Sequence, residues 1–352
     1  MEEKKKTARE IIEGYDGPPV RIMEVCGTHT HEIFRLGIRK LLPEQVELIS
    51  GPGCPVCVTQ VGFIDEAIYL ALERQVTICT FGDLVRVPGT NMSLAGAREK
   101  GAKIRIVYSP VDAKEYAKEH PKEQVTFLSV GFETTTPSAC LSVKKAREEG
   151  LTNYSILTAN KTMPQAYEAL KGSADIFLYP GHVNAITGTK LCEELAKEGV
   201  SGVVAGFTAK ELLTALAVAL ARFQEGRPFF VNCYPRVVTE NGSPQAQKLV
   251  EEMMEPCDSE WRGLGVIKGS GMRLQEEWSA FDARKKYKIP PIQGKANPAC
   301  RCGDVLQGKC KPSDCKVFGK VCTPQHPIGA CMVSGEGACS AYYMYGEAEK
   351  MK

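Results

Sequence analysis

The sequence predicts an α/β protein: two similar α/β domains with mainly parallel sheets flanking a cleft, followed by a smaller cysteine-rich third domain. Three observations lead there. Short β-branched runs alternate with helix-patterned segments over the first two thirds of the chain, and the alternation restarts near residue 120. Of the 15 cysteines, Cys300, Cys302, Cys310, Cys315, Cys322, Cys331 and Cys339 crowd the C-terminal end. At 352 residues the chain also exceeds what one hydrophobic core normally serves. The expected division is 1–120, 121–240 and 241–352.

The elements follow in order. RIMEV (21–25) precedes a helical pattern over about 32–42, and VELIS (46–50) precedes FIDEAIYLALER (63–74). VTICTF (76–81) leads to SLAGAREKGA, and KIRIVYS leads to DAKEYAKEH. The second series is VTFLSV (125–130), YSILTA (154–159), DIFLY (175–179) and GVVAGF (202–207), each followed by a helical stretch. Strands regularly interleaved with helices indicate parallel sheets covered by helices. The pattern fades after PFFVNCYPRVV, reads as helix from Ser243 to Met254, and then turns Gly-rich and finally Cys-, Pro- and Gly-rich.

Composition narrows the function. A hydrophobic content of 43% is ordinary for a globular chain, and a net charge of +2 without a long basic block gives no case for nucleic acid. The first residues, MEEKKKTARE, lack the apolar core of an export signal. The apolar stretch ELLTALAVALARF (211–223) is shorter than the roughly 20 residues that cross a bilayer. A cytoplasmic protein without a membrane segment is expected. In a reducing compartment, an odd and high number of cysteines indicates metal binding or redox work in place of a disulfide framework.

Four polar, glycine-bearing motifs fall at strand ends: CGTHTH after RIMEV, GPGCPVC after VELIS, GFETTTP after TFLSV and PGHVN after DIFLY. Parallel sheets bind ligands outside the carboxyl ends of their strands, so the motifs point to one cleft between the two halves. Cys26 before a helix is expected to feel its positive end, which favours thiolate, and His29 or His31 offers a hydrogen bond or a base. Cys54-x-x-Cys57 in a βα turn suggests redox chemistry, because zinc needs two further ligands. Glu133 and its threonines exceed what capping by Thr136 and Pro137 requires, and suit orientation of a polar ligand or proton transfer. His182 reads equally as a functional histidine or a hydrogen-bonded loop residue. The tail spacing C-x14-C-x6-C-x16-C, over Cys300, Cys315, Cys322 and Cys339, suits iron–sulfur or zinc, and spacing alone does not separate them.

Taken together, CGTHTH, GPGCPVC, GFETTTP, PGHVN and the ending FGKVCTPQHPIGACMVSGEGACSAYY closely resemble the hydrogenase maturation factors of the HypD family, in order and over essentially the whole chain. The resemblance implies a scaffold, with no conventional small-molecule turnover, on which the Fe(CN)2CO group of [NiFe] hydrogenase is assembled and then passed to the hydrogenase large subunit. It implies a small chaperone partner, HypC, a cyanide donor, HypE, and a monomer when alone. It implies Cys26 as the thiolate that holds the iron, Cys54 and Cys57 as a nearby dithiol, and a [4Fe–4S] cluster on Cys300, Cys315, Cys322 and Cys339. Cys302 and Cys331 match an additional redox pair, and Cys310 matches nothing. Two rivals stand beside it: an iron–sulfur-dependent thiol–disulfide oxidoreductase, and a zinc-stabilised binding protein.

Overall fold

The computed structural model describes residues 6–346. Two all-parallel sheets and one antiparallel hairpin hold the strands of the described residues. The first sheet is ordered β2-β1-β7-β8-β9, from β1 (Val20–Glu24), β2 (Val46–Ser50), β7 (Ile176–Pro180), β8 (Ser201–Ala205) and β9 (Phe230–Asn232). The second is ordered β4-β3-β5-β6, from β3 (Thr77–Thr80), β4 (Ile104–Ile106), β5 (Val125–Gly131) and β6 (Tyr154–Asn160). β10 (Met254–Trp261) and β11 (Gly265–Leu274) form the hairpin. Every residue of β5, β6, β7 and β8 is buried, as expected of strands covered by helices on both faces.

The strands of the two parallel sheets lie where the sequence places them, but they are shared out differently. The expected boundary at residue 120 falls inside the second sheet, with β3 and β4 before it and β5 and β6 after it. The chain leaves the first sheet after β2, builds the whole second sheet, and returns to pair β7 with the free edge of β1. Alternation along a chain reports element type; it carries no information about which distant strand becomes a neighbour.

Three local expectations change as well. The helix after β1 begins at Gly27, so the histidines of CGTHTH lie inside its first turns. Thr136 is the first residue of its helix, after an N-cap at Thr135, and its hydroxyl donates to the Phe132 carbonyl at 2.9 Å. Residues 241–346 do not stand apart as a unit. Met253, Met254, Leu274 and Phe281 share a core with Phe127, Tyr154 and Ile156 of the second sheet. Cys302, Leu306 and Cys331 share one with Met23, Cys54 and Cys57 of the first. The helix Ala338–Tyr345 packs on the helix Gly27–Arg35, with Tyr342 edge-on to Phe34 at 5.6 Å.

Candidate functional site

The first sheet runs outward from β1 in both directions, to β2 on one side and to β7 on the other, and a crevice opens at such a reversal. Glu24, at the end of β1, is wholly buried and holds this point together. Its carboxylate pairs with Arg39 at 2.6 Å and accepts hydrogen bonds from the Thr30 hydroxyl at 2.7 Å and the Ser50 hydroxyl at 3.1 Å. Cys26 lies two residues further on. The Gly27 amide donates to the Gly53 carbonyl at 2.9 Å, and a methyl group on Gly53 would lie 2.2 Å from the Cys26 nitrogen. A methyl on Gly27 would meet the Cβ of Cys54 at 3.2 Å and that of Glu336 at 2.7 Å. These glycines are thus needed for close approach, and they bring the backbones of the Cys26 and Cys54 turns into contact.

Cys54 caps the short helix Pro55–Val58, its sulfur accepting from the Cys57 amide at 3.2 Å, and the two cysteines are joined as a disulfide with Cα atoms 5.2 Å apart. Cys26 is a free thiol and is buried. Burial pushes its pKa up to about 12; the His29 amide pulls it down, the Glu336 carboxylate raises it further and the Thr28 amide lowers it. The expected thiolate is therefore a protonated thiol in this state of the chain. The helix end favours charge, but removal from water disfavours it more strongly.

His29 is fully buried, and its Nε2 lies 3.2 Å from the Ala205 carbonyl and 3.0 Å from that of Gly206. Two carbonyl partners require the proton on Nε2, which leaves Nδ1 as a bare, buried and unpartnered acceptor. Burial lowers its pKa to about 4, so the ring is neutral. It stacks on Phe207 at 4.7 Å, and the exposed His182 stacks on the same ring at 3.8 Å. His31 turns away, to the Gly335 carbonyl at 3.0 Å.

Glu133 follows β5 in the other sheet. Its Oε1 accepts from the Met163 amide at 2.8 Å, while Oε2 is buried without a partner, and burial raises the carboxyl to about 7. It lines a cavity of about 160 Å3 together with Thr136, Thr162, Gln247 and Met272. Tyr167 lies between the two halves, its hydroxyl buried and unpartnered. Its pKa is raised well above the ordinary value by burial and by Cys192, Glu133, Tyr179 and Cys26 nearby. Nothing in the sequence marks Tyr167, Phe207 or Glu336. Glu336 accepts from the Thr28 hydroxyl at 2.7 Å and reaches the site only because the tail folds back.

The tail completes the arrangement. Cys300, Cys302, Cys315, Cys322, Cys331 and Cys339 line one small cavity. A methyl on Gly329 would lie 2.5 Å from the Cys300 sulfur. The Cys302 and Cys331 sulfurs are 2.8 Å apart in the buried interior. Hydrogen bonds from Cys300 and then Cys331 pull the Cys302 thiol well below its ordinary pKa. The turn Ala330–Met332, which carries Cys331, packs directly on the disulfide helix Pro55–Val58. Among the described residues, no group of three or more His, Cys, Asp or Glu is arranged to hold a single metal ion. Cys310 lies in another cavity, with Arg39, Ser50 and Lys311.

The chain matches the family model HypD, described as "Hydrogenase formation hypA family", over residues 2–346. It is 42% identical to the hydrogenase maturation factor HypD of Cupriavidus necator, over 95% of this chain and 92% of that protein. It is 44% identical to HypD of Rhodobacter capsulatus (94% and 90% covered) and 43% identical to HypD of Escherichia coli K12 (94% and 90%). No helix among the described residues is long and apolar enough to cross a membrane. The chain belongs to the HypD family of hydrogenase formation proteins.

Proposed function

We propose that this protein is a cytoplasmic maturation factor of [NiFe] hydrogenase, a redox-active scaffold on which an Fe(CN)2CO group is assembled before delivery to the hydrogenase large subunit. The names of its relatives support the pathway. The observation that carries the chemistry is contiguity: Cys26, the Cys54–Cys57 disulfide, the Cys302 and Cys331 thiols and four further tail cysteines follow one another through packed contacts.

Each residue has a role that its surroundings support. Cys26 grips the iron jointly with a thiolate of the small partner HypC, its proton leaving as the metal arrives. The neutral His29 adds no positive charge, and the nearby Glu336 carboxylate adds negative charge, at a place that gathers a cation. Glu133, protonated below about 7, holds or passes a proton inside the protein, and His182 stands at the exposed side for ligands brought by the cyanide donor HypE. The Cys302 and Cys331 thiols reduce Cys54–Cys57 by exchange: the Cys54–Cys57 bond breaks, a Cys302–Cys331 bond forms, and two electrons and two protons pass to Cys54 and Cys57. Cys300, Cys315, Cys322 and Cys339, soft thiols that line one cavity with Cys302 and Cys331, would hold a [4Fe–4S] cluster, which when bound would offer one-electron chemistry beside that pair. Opening the disulfide changes the number of sulfur ligands near Cys26, so iron can be held and later released.

The test is anaerobic co-purification with the small partner and infrared spectroscopy of iron-bound cyanide and carbon monoxide. Wild type is expected to show both bands, and Cys26→Ala to lose them while keeping disulfide exchange. An oxidoreductase that merely uses the same thiols, a reading favoured by the observed disulfide beside a free pair, shows no such bands and is indifferent to Cys26→Ala. Metal analysis with visible absorption separates iron–sulfur from zinc in the tail.

A further inference from the structure

A second cavity, of about 790 Å3, lies outside the thiol site. Among the described residues, its lining includes Arg86, Arg262, Lys295 and His326, and no carboxylate. Among the described residues, Arg86 donates only to the Pro324 carbonyl, at 2.8 Å. Arg262 donates from Nε to the Thr59 carbonyl at 3.0 Å, whereas its Nη2 is buried and has no partner among the described residues. The Lys295 amide donates to the Thr90 hydroxyl, but its ammonium group forms no ion pair among the described residues. Asp65, which lines the adjoining cavity, is occupied by the Thr90 amide and hydroxyl at 2.8 and 2.6 Å.

Three other cations that approach the interior, Arg39, Lys114 and Arg284, carry a carboxylate partner: Glu24, Glu149 and Glu66. Buried Lys161 instead donates to the Ser259 hydroxyl at 2.6 Å and the Glu260 carbonyl at 2.7 Å. Leaving a buried guanidinium N–H without an acceptor is costly, and three cations facing one carboxylate-free space repel one another. A bound anion removes both costs. The volume falls within the roughly 300–1,000 Å3 typical of small-molecule sites and exceeds what a bare inorganic ion fills. Apolar walls from Val61, Met92 and Ile328 leave room for a carbon framework.

We propose that this cavity binds a small organic molecule bearing two or more negative charges on oxyanion groups, with one group seated on Arg262 between Arg86 and Lys295. Phosphate esters and polycarboxylates share this chemistry. The Arg262 amide also donates to the Val58 carbonyl at 2.8 Å, so the bound group rests on the residue that braces the end of the Cys54–Cys57 helix.

Isothermal titration of the full chain with pyrophosphate and with citrate, each against chloride at matched ionic strength, tests this. Saturable one-to-one binding of either anion is expected, and the tighter of the two identifies the phosphate or the carboxylate class. Arg262→Lys keeps the charge but loses the planar fork, and weakens binding about tenfold. Lys295→Gln, at an exposed position that bears no fold contact through its ammonium, weakens it several-fold. Lys268→Gln, exposed on β11, leaves it unchanged. The proposal is overturned if neither anion binds beyond the chloride control, or if binding survives both Arg262→Lys and Lys295→Gln, which marks an adventitious ion only.

Discussion

Replacing Glu133 by Gln isolates the cost of a buried carboxyl. In the folded chain this group titrates at about 7 against an ordinary value of 4.5, because burial disfavours the charged form more than the Met163 amide supports it. A pKa raised on folding means that the folded protein holds the proton more tightly. Its stabilising contribution is complete below the unfolded pKa of 4.5 and is lost as pH rises through 7. A shift of this size corresponds to about 3 kcal/mol between the two limits, most of it expressed between about pH 5 and pH 8. Glutamine keeps an acceptor for the Met163 amide and cannot ionise. Denaturant unfolding of wild type and Glu133→Gln under reducing, anaerobic conditions should therefore give similar stabilities at about pH 5 and a variant ahead by about 2–3 kcal/mol at about pH 8. Infrared difference spectra should show a protonated-carboxyl band that titrates near neutrality in wild type and is missing from the variant. Parallel stability profiles for the two proteins, or no such band, would refute the reasoning.

The remaining predictions concern the thiol site and its supports. Because the Cys26 thiol is pushed up to about 12 and buried, alkylation at about pH 8 followed by mass spectrometry should leave it unmodified in the native chain and label it only on unfolding. Glu336→Gln removes a nearby negative charge that holds that thiol up, so the pH profile for alkylation of Cys26 should move to lower pH. It should cost about 1 kcal/mol of stability through the weakened Thr28 contact. Gly53→Ala forces a methyl group onto the Cys26 backbone; a loss of about 3 kcal/mol or more, or failure to accumulate folded protein, is expected, with normal stability counting against the observed approach. Arg39→Met strands the buried Glu24 carboxylate and should cost about 3 kcal/mol in chemical denaturation.

Much of the fold is legible in the residues because a fully covered parallel strand must be a short, continuous apolar run between turn signals. VELIS is a strand at 46–50 as read, DIFLY is shifted by one residue at both ends, and YSILTA gains one residue at its C-terminal end. The hairpin β10–β11 escapes notice because its glycines and charges lack the usual strand signature. Cys26, Cys54, Glu133 and His182 stand out because glycine- and proline-bearing turns at strand ends are where side chains can face a ligand. The partners Tyr167, Phe207 and Glu336 do not stand out, since aromatic and acidic residues at such positions are ordinary everywhere in a chain.

What the sequence by itself determined is thus the succession of strands and helices, the motifs at their ends and the family. The tertiary structure alone decided that β7 returns to β1 across an inserted sheet, that the tail packs its paired thiols against the disulfide helix, and that Cys26 is a protonated thiol despite its place at a helix start. The physical reason is common to all three. Backbone propensity acts over a few residues and can be read locally, whereas strand pairing, burial and the resulting loss of solvation depend on which distant segments meet.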